Sequence, residues 1–467
     1  MKAVQTLWCG DRRLEESQFW WLDAEYHLMS WALSALKLRQ HFDRLELYTD
    51  SEGARMLIDR LGLPYTEVKV VYDRFHCLTC HWALVKVHTY SLQRESFIHI
   101  DGDIYLTKPL TEQTLASPLI VQNTELCTDY YRRMIDRLLG ISGLKLQESF
   151  RRVLESDDVP SCNLGFCGGT DIDFFGRFSE AVFRFFRDND FNSDRFRNDD
   201  ISANVVFEQI FFSIMAREAG PVPATIWPQR VRDNGYLPEE FSDMLHFGQR
   251  QFVHILGGMK RRKDICRSVE LTLLREYPEM WRRVADLFPE RHRLLHPAAP
   301  LPVASQGAPH YEAALRETVR TFAVVSPDVL IAEERAAADN IAGLAIEGES
   351  RDSRTLQLHP FLHLLPVDEA EREAVRLRLC PERMTQPCFT AVIPSVTGEG
   401  YVEIPLYNTE RNIIALLSSP MTVGALTEAL MPSFQSADLR GKAGKCASRA
   451  IDYLLSSGAV IAKTADL

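Results

Sequence analysis

Short apolar runs of β-forming residues alternate with amphipathic helical patterns along the first hundred residues. These patterns predict strands at 4–9, 44–50, 65–71 and 96–106, separated by helices at 19–42, 52–61 and 82–92. Strands that alternate with helices predict an α/β fold with a mixed, mainly parallel sheet flanked by helices. Ligands of such sheets bind beyond the carboxyl ends of the strands. Functional side chains are therefore expected where the apolar runs end.

The chain has 467 residues, which is more than one ordinary hydrophobic core supports. A stretch rich in proline, alanine and other small residues at 298–310 is typical of a linker. The sequence therefore predicts an N-terminal α/β domain at 1–297 and a smaller C-terminal α+β domain at 311–467.

The charge balance limits the classes of partner. The formal net charge is -11, with 46% hydrophobic and 25% charged residues, which argues against a general binder of nucleic acids or anionic membranes. No apolar run approaches the roughly 20 residues that cross a bilayer, and the first residues lack the long apolar region of a signal peptide. We expect a cytoplasmic protein that binds neither nucleic acid nor membrane.

The run Phe97–Ile100 ends abruptly in Asp101-Gly102-Asp103. Two carboxylates at the end of a buried strand are costly unless a cation offsets their charge. A hard divalent cation suits them because it takes oxygen ligands, and Gly102 would let a ligand approach the backbone. The alternative is an acidic turn that closes the strand, since Asp-Gly is common in turns.

A second informative stretch lies at 252–263. His254 follows an apolar run, Gly257 and Gly258 come next, and Lys260 begins a group of cationic residues. The glycines would let the backbone approach an anion, and Lys260 would neutralise a phosphate. His254 is a candidate third metal ligand, and an imidazole beside two carboxylates favours Mn²⁺ over Mg²⁺. A core histidine followed by a solvated basic patch is the alternative for this stretch.

Polar residues also interrupt two other apolar segments. Asn163 lies in a run of small and apolar residues at 160–169, which suggests a strand and turn against a ligand. Glu208 and Gln209 lie within an apolar helical pattern at 204–218, where a charge needs a partner or faces a cleft. A structural role for Glu208 and Gln209, hydrogen-bonded within a core helix, is the alternative.

In combination these motifs resemble those of metal-dependent glycosyltransferases with the GT-A fold, and in particular the retaining family 8 enzymes. The resemblance rests on Asp101-Gly102-Asp103 and on His254-Ile255-Leu256-Gly257-Gly258-Met259-Lys260. It is supported by Asn163-Leu164-Gly165, by Phe207-Glu208-Gln209 and by Lys86 in the helix before the aspartates. It covers about residues 1–290, and it departs from the family at Arg261-Arg262, where an aromatic pair is usual, and at Glu208, which replaces an aspartate.

The resemblance implies a GT-A-like catalytic domain that transfers a sugar from a nucleoside-diphosphate sugar, a UDP-sugar in most of the family. It implies Mn²⁺ or Mg²⁺ as cofactor, bound by Asp101, Asp103 and His254. Donor contacts would come from Lys86, Asp101, Gly257 and Lys260. Glu208, Gln209 and Asn163 would line the sugar and are the candidate catalytic residues.

The end of the chain has a distinct pattern. Three short helices and a terminal strand at about 405–467 resemble the winged-helix modules that bind leader peptides in peptide-modifying enzymes. This resemblance implies a peptide or protein acceptor that the C-terminal domain holds by strand addition. A lid or a dimerisation domain is the alternative, and we expect that the chain can form a homodimer.

Two other hypotheses for the function of the whole chain remain open. A nucleotidyltransferase shares this kind of sheet and acidic metal site, but it would usually show an early glycine-rich loop with a lysine or arginine. The only glycine near the start is Gly10, before Asp11-Arg12-Arg13. The other hypothesis is that the chain is a catalytically silent peptide-binding protein of a peptide-modification pathway.

Overall fold

The computed structural model describes residues 1–193, 196, 204–233, 237–244, 246–296, 307–344, 351–381, 384–397, 400–433 and 443–462. The chain forms two compact units, Met1–Val269 and Glu270–Leu467. The sequence predicted the division later, at 298–310, and residues 298–306 of that segment lie outside the described residues. Its assignment as a linker stays a prediction. Among the described residues, no helix is both long and apolar enough to cross a bilayer.

A mainly parallel sheet forms the centre of the N-terminal unit, as the alternation of strands and helices predicted. The strands of this unit are β1 (Lys2–Leu7), β2 (Leu45–Thr49), β3 (Glu67–Val70), β4 (Phe97–Ile100), β5 (Ile104–Leu106), β6 (Ile120–Leu126), β7 (Pro160–Gly169), β8 (Ala224–Thr225), β9 (Val231–Arg232) and β10 (Phe252–His254). The sheet order is β3-β2-β1-β4-β7-β6-β8, and β9 also pairs with β6. Only β7 runs antiparallel to its neighbours, β4 and β6.

Helices flank this sheet. They are α1 (Ala24–Arg39), α2 (Ser51–Ala54), α3 (Ala83–Ser91), α4 (Glu112–Leu115), α5 (Asp129–Leu139), α6 (Glu148–Leu154), α7 (Ile172–Asp188), α8 (Phe211–Ala219), α9 (Pro238–Phe241) and α10 (Lys263–Glu276), which contains the boundary between the units. In α7 the Asp171 side chain accepts a hydrogen bond from the backbone N–H of Phe174 and caps the helix. Phe174, Phe178 and Phe185 then recur at helical spacing and are buried in the core.

Two helices differ from their predicted form. The pattern at 19–42 predicted one helix, but α1 begins only at Ala24, because Phe19 and Trp20 have φ angles of 43° and 75°. This left-handed region is rare for bulky residues and ends a helical path. The predicted helix at 204–218 begins with a π-helical segment, Val205–Ile210, before α8. Segments of this kind are frequent at functional sites.

The helix predicted at 52–61 likewise divides into α2 and a π-helical segment, Arg55–Arg60. The sequence at 117–122 predicts a further short strand, but its bounds are wrong, since β6 covers Ile120–Leu126. The error arises because Gln122, Asn123 and Glu125 are buried in this strand, although their side chains are polar. Tertiary contacts therefore override the sequence pattern there.

A separate two-stranded ribbon brings together the two sequence segments that carry the predicted metal ligands. Strand β5, which directly follows Asp103, pairs antiparallel with β10, so that His254 lies opposite Ile104. Helix α1 supports the ribbon, because the Ser30 hydroxyl donates to the Gly102 carbonyl over 3.0 Å and the Ser34 hydroxyl to that of Ile104 over 2.7 Å.

The C-terminal unit contains two small antiparallel sheets. Its helices are α11 (Pro278–Ala285), α12 (Pro309–Phe322), α13 (Pro327–Leu344), α14 (Arg372–Leu379), α15 (Asn408–Leu416), α16 (Val423–Leu430) and α17 (Ala443–Ser456). Its strands are β11 (Thr355–Leu358), β12 (His363–Pro366), β13 (Phe389–Pro394), β14 (Tyr401–Leu406), β15 (Met421–Thr422) and β16 (Val460–Ala462). The sheet orders are β15-β11-β16 and β12-β13-β14.

The three helices and the terminal strand predicted for the end of the chain are present as α15, α16, α17 and β16. Thr422 caps α16, with its hydroxyl accepting from the backbone N–H of Ala425. Strands β12, β13 and β14 are not predicted from the sequence, because they are short and carry mixed polar and apolar residues. The winged-helix assignment of 405–467, the peptide acceptor and the homodimer stay predictions.

Candidate functional site

The two informative stretches of the sequence meet at the carboxyl end of β4. Asp101 ends that strand, and its backbone N–H donates to the Gly165 carbonyl of β7 over 3.0 Å. The β5–β10 ribbon brings His254 back beside Asp103. Ligand atoms of Asp101, Asp103 and His254 all lie within 4.8 Å of one another. The structure therefore brings together the three residues that the sequence predicted as metal ligands.

The hydrogen bonds of His254 determine which of its ring nitrogens faces this cluster. Its Nδ1 lies 2.7 Å from Gln122 Oε1, and Gln122 Nε2 in turn donates to Asn123. An amide oxygen only accepts, so His254 Nδ1 carries a proton, and Nε2 is the ring nitrogen that faces Asp103 Oδ1, at a distance of 3.4 Å. That carboxylate oxygen is buried and receives no hydrogen bond among the described residues.

A neutral histidine with its proton on Nδ1 offers Nε2 as a metal ligand, and a buried carboxylate oxygen that receives no hydrogen bond is stabilised by a nearby cation. Two carboxylates and one imidazole nitrogen form a donor set that suits Mn²⁺ or Mg²⁺. The orientation of His254 by the Gln122 amide is also the usual way in which a metal-binding histidine is fixed. The residues at this place therefore fit a divalent cation.

Lys260 supplies a positive charge on the other side of Asp103. Its Nζ lies 2.5 Å from Asp103 Oδ2. It belongs to a helical turn, Gly257–Arg261, in which Gly257 has a φ of 44° and has open space where a side chain would project. Gly258 also faces open space. The backbone of this turn is therefore accessible to a ligand beside Lys260.

The two aspartates have opposite pKa shifts. Burial raises the pKa of Asp101, with Asp103 adding to the effect and Lys86 opposing it. Burial alone would also raise the pKa of Asp103, but Lys260 and His254 outweigh it and hold that pKa below its usual value. The site therefore carries one carboxylate that is already stabilised as an anion and one that needs a further positive charge.

Lys86 on α3 links the metal cluster to Glu208. Its Nζ lies 2.9 Å from Asp101 Oδ1 and 2.8 Å from Glu208 Oε1, and it also donates to the Leu164 carbonyl. Burial would lower the pKa of Lys86, but the two carboxylates raise it above its usual value. Burial raises the pKa of Glu208, with Lys86 opposing the effect. Lys86 is therefore the cation shared by the partly buried Asp101 and the buried Glu208.

The other two candidate catalytic residues, Gln209 and Asn163, are both linked to Glu125, which was not predicted from the sequence. Tyr131 Oη lies 2.7 Å from Glu125 Oε2 and 2.6 Å from Gln209 Oε1, and the Ser161 hydroxyl donates to Glu125 over 3.1 Å. Asn163 also interacts with Glu125. Glu125 lies in the polar stretch 122–125 that follows a short apolar run, so the sequence offers no clear signal of its burial.

Glu125 is fully buried, and burial raises its pKa to about 7, although the hydrogen bonds from Tyr131, Ser161 and Asn163 partly oppose the effect. Tyr131 has one hydroxyl proton, so it can donate a hydrogen bond to only one of the two neighbouring oxygens, Glu125 Oε2 or Gln209 Oε1. Both contacts become hydrogen bonds when Glu125 is protonated, donates to Tyr131, and leaves Tyr131 to donate to Gln209. The geometry and the pKa thus agree on a Glu125 that is protonated below about pH 7.

Two other glycines near the site, Gly102 and Gly165, are needed for close packing. A Cβ at Gly102 would lie 2.5 Å from the Trp31 ring, so the expectation that a ligand approaches the backbone there is wrong on this face, which Trp31 occupies. At Gly165 a Cβ would lie 2.6 Å from Gln122 Oε1 and 2.7 Å from His254 Cε1. The β6–β7 register shifts beside Gly165, and Asn163 Oδ1 accepts from its N–H over 2.9 Å. Such bulges are common next to active sites.

Comparison with known proteins assigns the chain to a family without assigning an activity. No curated protein matches this sequence. A family model described as a family of unknown function, DUF6734, matches residues 1–287, which is more than half of the chain and contains every site residue described above. The chain belongs to this family of unknown function, DUF6734.

Proposed function

We propose that the N-terminal unit is a metal-dependent glycosyltransferase that takes a sugar from a nucleoside-diphosphate donor. One observation carries the proposal. The buried Asp103 Oδ1, which receives no hydrogen bond from the described residues, faces His254 Nε2 at 3.4 Å, with Asp101 and Lys260 beside them. This set combines the ligands of a divalent cation with a lysine for a phosphate, and that combination suits a diphosphate leaving group.

Asp101, Asp103 and His254 would hold the cation, which when bound supplies positive charge to the departing diphosphate. Lys260 is placed to contact the same diphosphate, since its turn has open space at Gly257 and Gly258. An ammonium that is aimed at the charge developing on a leaving group lowers the barrier of the transfer. Lys86 keeps Asp101 oriented and ionised, because it lies 2.9 Å from that carboxylate.

The sugar would lie on the side of the cluster where Glu208, Gln209 and Asn163 are found. Glu208 reaches Asp101 through their shared contact with Lys86, and Asn163 borders Gly165, next to His254. Gln209 is oriented by Tyr131 over 2.6 Å. The amides of Asn163 and Gln209 have the chemistry to bind sugar hydroxyls, and Glu208 is the carboxylate that shares Lys86 with Asp101.

The test is a thermal-shift titration with Mn²⁺ and a panel of nucleotide-sugars, followed by an assay of donor hydrolysis. A ligand that binds the folded state raises the unfolding midpoint by mass action. We expect Mn²⁺ with one class of donor to raise the midpoint of the native protein, and Asp103→Asn to abolish both this increase and the hydrolysis.

His246→Ala is the matched control, because His246 lies near His254 in the chain but is partly exposed and pairs with Asp243. Its response to Mn²⁺ and donor should equal that of the native protein. Donor hydrolysis at full rate in Asp103→Asn would contradict the proposal. Release of pyrophosphate from a nucleoside triphosphate would instead favour a nucleotidyltransferase.

A further inference from the structure

A cavity of about 490 Å³ lies at the ends of the three strands next to β4, and it is outside the set of candidate residues described above. It is lined by Trp8 after β1, Asp50 and Ser51 after β2, and Tyr72 and Asp73 after β3. These strands and β4 are parallel neighbours in the order β3-β2-β1-β4. The cavity and the metal cluster therefore occupy the same edge of the sheet.

The separation along this edge suits a nucleotide. Adjacent strands lie about 4.8 Å apart, so the end of β2 is roughly 10 Å from the end of β4. A ribose attached to a diphosphate spans a distance of this order. The aromatic rings of Trp8, Tyr72 and Phe75 also line the cavity and pack edge to face on one another. Aromatic walls suit a flat heterocycle.

The charge of the cavity fixes the direction in which a nucleotide can enter. Four carboxylates line it: Asp11, Asp50, Glu52 and Asp73. Such a cavity repels phosphate, whereas Lys260 beside the metal cluster attracts it. A nucleoside diphosphate can satisfy both places only with its base in the cavity and its diphosphate at Lys260.

Two of the four carboxylates are already used by the protein. Asp50 accepts hydrogen bonds from the backbone N–H groups of Cys9, Gly10 and Gly53, and Glu52 pairs with Arg55. Asp11 and Asp73 are exposed at the cavity.

Asp73 is held in place but keeps acceptor capacity. Its two oxygens each accept one hydrogen bond of 2.6 Å, from the Ser51 backbone N–H and the Ser51 hydroxyl. A carboxylate accepts about four hydrogen bonds, so each oxygen can accept another. Two parallel acceptors on a fixed carboxylate match two adjacent N–H donors.

We propose that this cavity binds the base of the donor nucleotide and that Asp73 selects guanine. The proposal rests on the proposed glycosyltransferase function and makes it specific. Guanine presents a ring N–H beside an exocyclic amino group, which together match the two oxygens of Asp73. Uracil presents a single N–H flanked by two carbonyl oxygens, which the carboxylate repels. The donor is therefore a guanosine-diphosphate sugar rather than the uridine-diphosphate sugar that the family resemblance implies.

Calorimetric titration of the full chain with GDP, UDP, ADP, CDP and pyrophosphate, each with Mn²⁺, tests the proposal. Hydrogen bonds to a charged group contribute about 1.5–3 kcal/mol, so GDP should bind about tenfold more tightly than UDP or better. Asp73→Asn should remove this preference and leave pyrophosphate binding unchanged. Asp59→Asn, which changes an exposed carboxylate outside the cavity, should behave like the native protein.

The outcomes separate this proposal from the one on which it rests. Pyrophosphate binding combined with a preference for UDP, or with a GDP preference that survives Asp73→Asn, would overturn guanine selection and leave the metal site standing. Failure of every probe, including pyrophosphate, would overturn both proposals. If Asp73→Asn does not fold, Ser51→Ala replaces it, because it removes one of the two hydrogen bonds that hold Asp73 in place. A GDP preference that is unchanged in Ser51→Ala would also count against guanine selection by a fixed Asp73.

Discussion

Replacing Glu125 with glutamine should make the stability of the N-terminal unit less dependent on pH. Glu125 is fully buried, and its pKa rises from an ordinary value of 4.5 to about 7. Between these two values the folded protein binds more protons than the unfolded chain. The free energy of unfolding that Glu125 contributes is therefore fully present below pH 4.5 and is lost as pH rises through 7.

The size of the effect follows from the two pKa values. One pKa unit corresponds to about 1.36 kcal/mol, so the native protein should lose about 2.5 kcal/mol from this group between pH 5 and pH 8. Glutamine stays neutral across that range and resembles protonated Glu125. The difference in unfolding free energy between the native protein and Glu125→Gln should therefore change by about this amount.

Urea unfolding followed by tryptophan fluorescence suits this measurement, because Trp281 is the only tryptophan of the chain outside the N-terminal unit. Glu46→Gln is the matched control. Glu46 is also buried in the sheet, but hydrogen bonds from Lys2 and Lys69 outweigh the effect of burial and lower its pKa. Its contribution is lost only as pH falls, so its difference from the native protein should stay nearly constant between pH 5 and pH 8. A constant difference for Glu125→Gln as well would refute the assignment of a neutral Glu125.

Two other substitutions test the contacts around the site. Lys86→Met leaves Asp101 and Glu208 without their shared ammonium, which should lower the free energy of unfolding in urea by about 3–5 kcal/mol. The double variant Lys86→Met/Glu208→Gln should recover part of this loss. A loss below about 1 kcal/mol in Lys86→Met would contradict a stabilising Asp101–Lys86–Glu208 contact. Gly165→Ala places a Cβ 2.7 Å from His254 Cε1, so the Mn²⁺ affinity measured by calorimetry should fall about 10- to 100-fold. Gly176→Ala in α7 is the control, because a Cβ there meets nothing within 4 Å, and it should leave the Mn²⁺ affinity unchanged. Equal affinities in the two variants would show that the position of His254 does not matter.

The parts of the fold that the sequence predicted well are those with strong local patterns. The runs that became β1, β2 and β4 are apolar and bounded by turn residues, and the helical pattern at 82–92 matches α3 closely. The two predicted ends of the site meet because β5 and β10 pair immediately after Asp103. That pairing involves strands of three residues each, which are too short to be recognised from the sequence.

The parts that could not be predicted depend on partners far apart in the chain. Lys86 and Glu208 were each identified as candidates, but their contact with each other depends on how α3 packs against the π-helical segment that carries Glu208. Glu125 was missed because its partners Tyr131 and Ser161 are contributed by α5 and β7. Gly102 suggested an open backbone, whereas Trp31 fills that space. Such contacts follow from tertiary packing, which a single sequence does not encode locally.

Magnetic-resonance spectroscopy of bound Mn²⁺ tests most directly the central claim that Asp101, Asp103 and His254 jointly hold a divalent cation. His254 is fixed by Gln122 so that its Nε2 faces the cluster, and this nitrogen should therefore be a ligand of the ion. Pulsed electron paramagnetic resonance should detect the hyperfine coupling of one histidine nitrogen in the native protein, and the coupling should disappear in His254→Gln and persist in His246→Ala. Failure to bind Mn²⁺, or binding without any nitrogen coupling, would contradict the account.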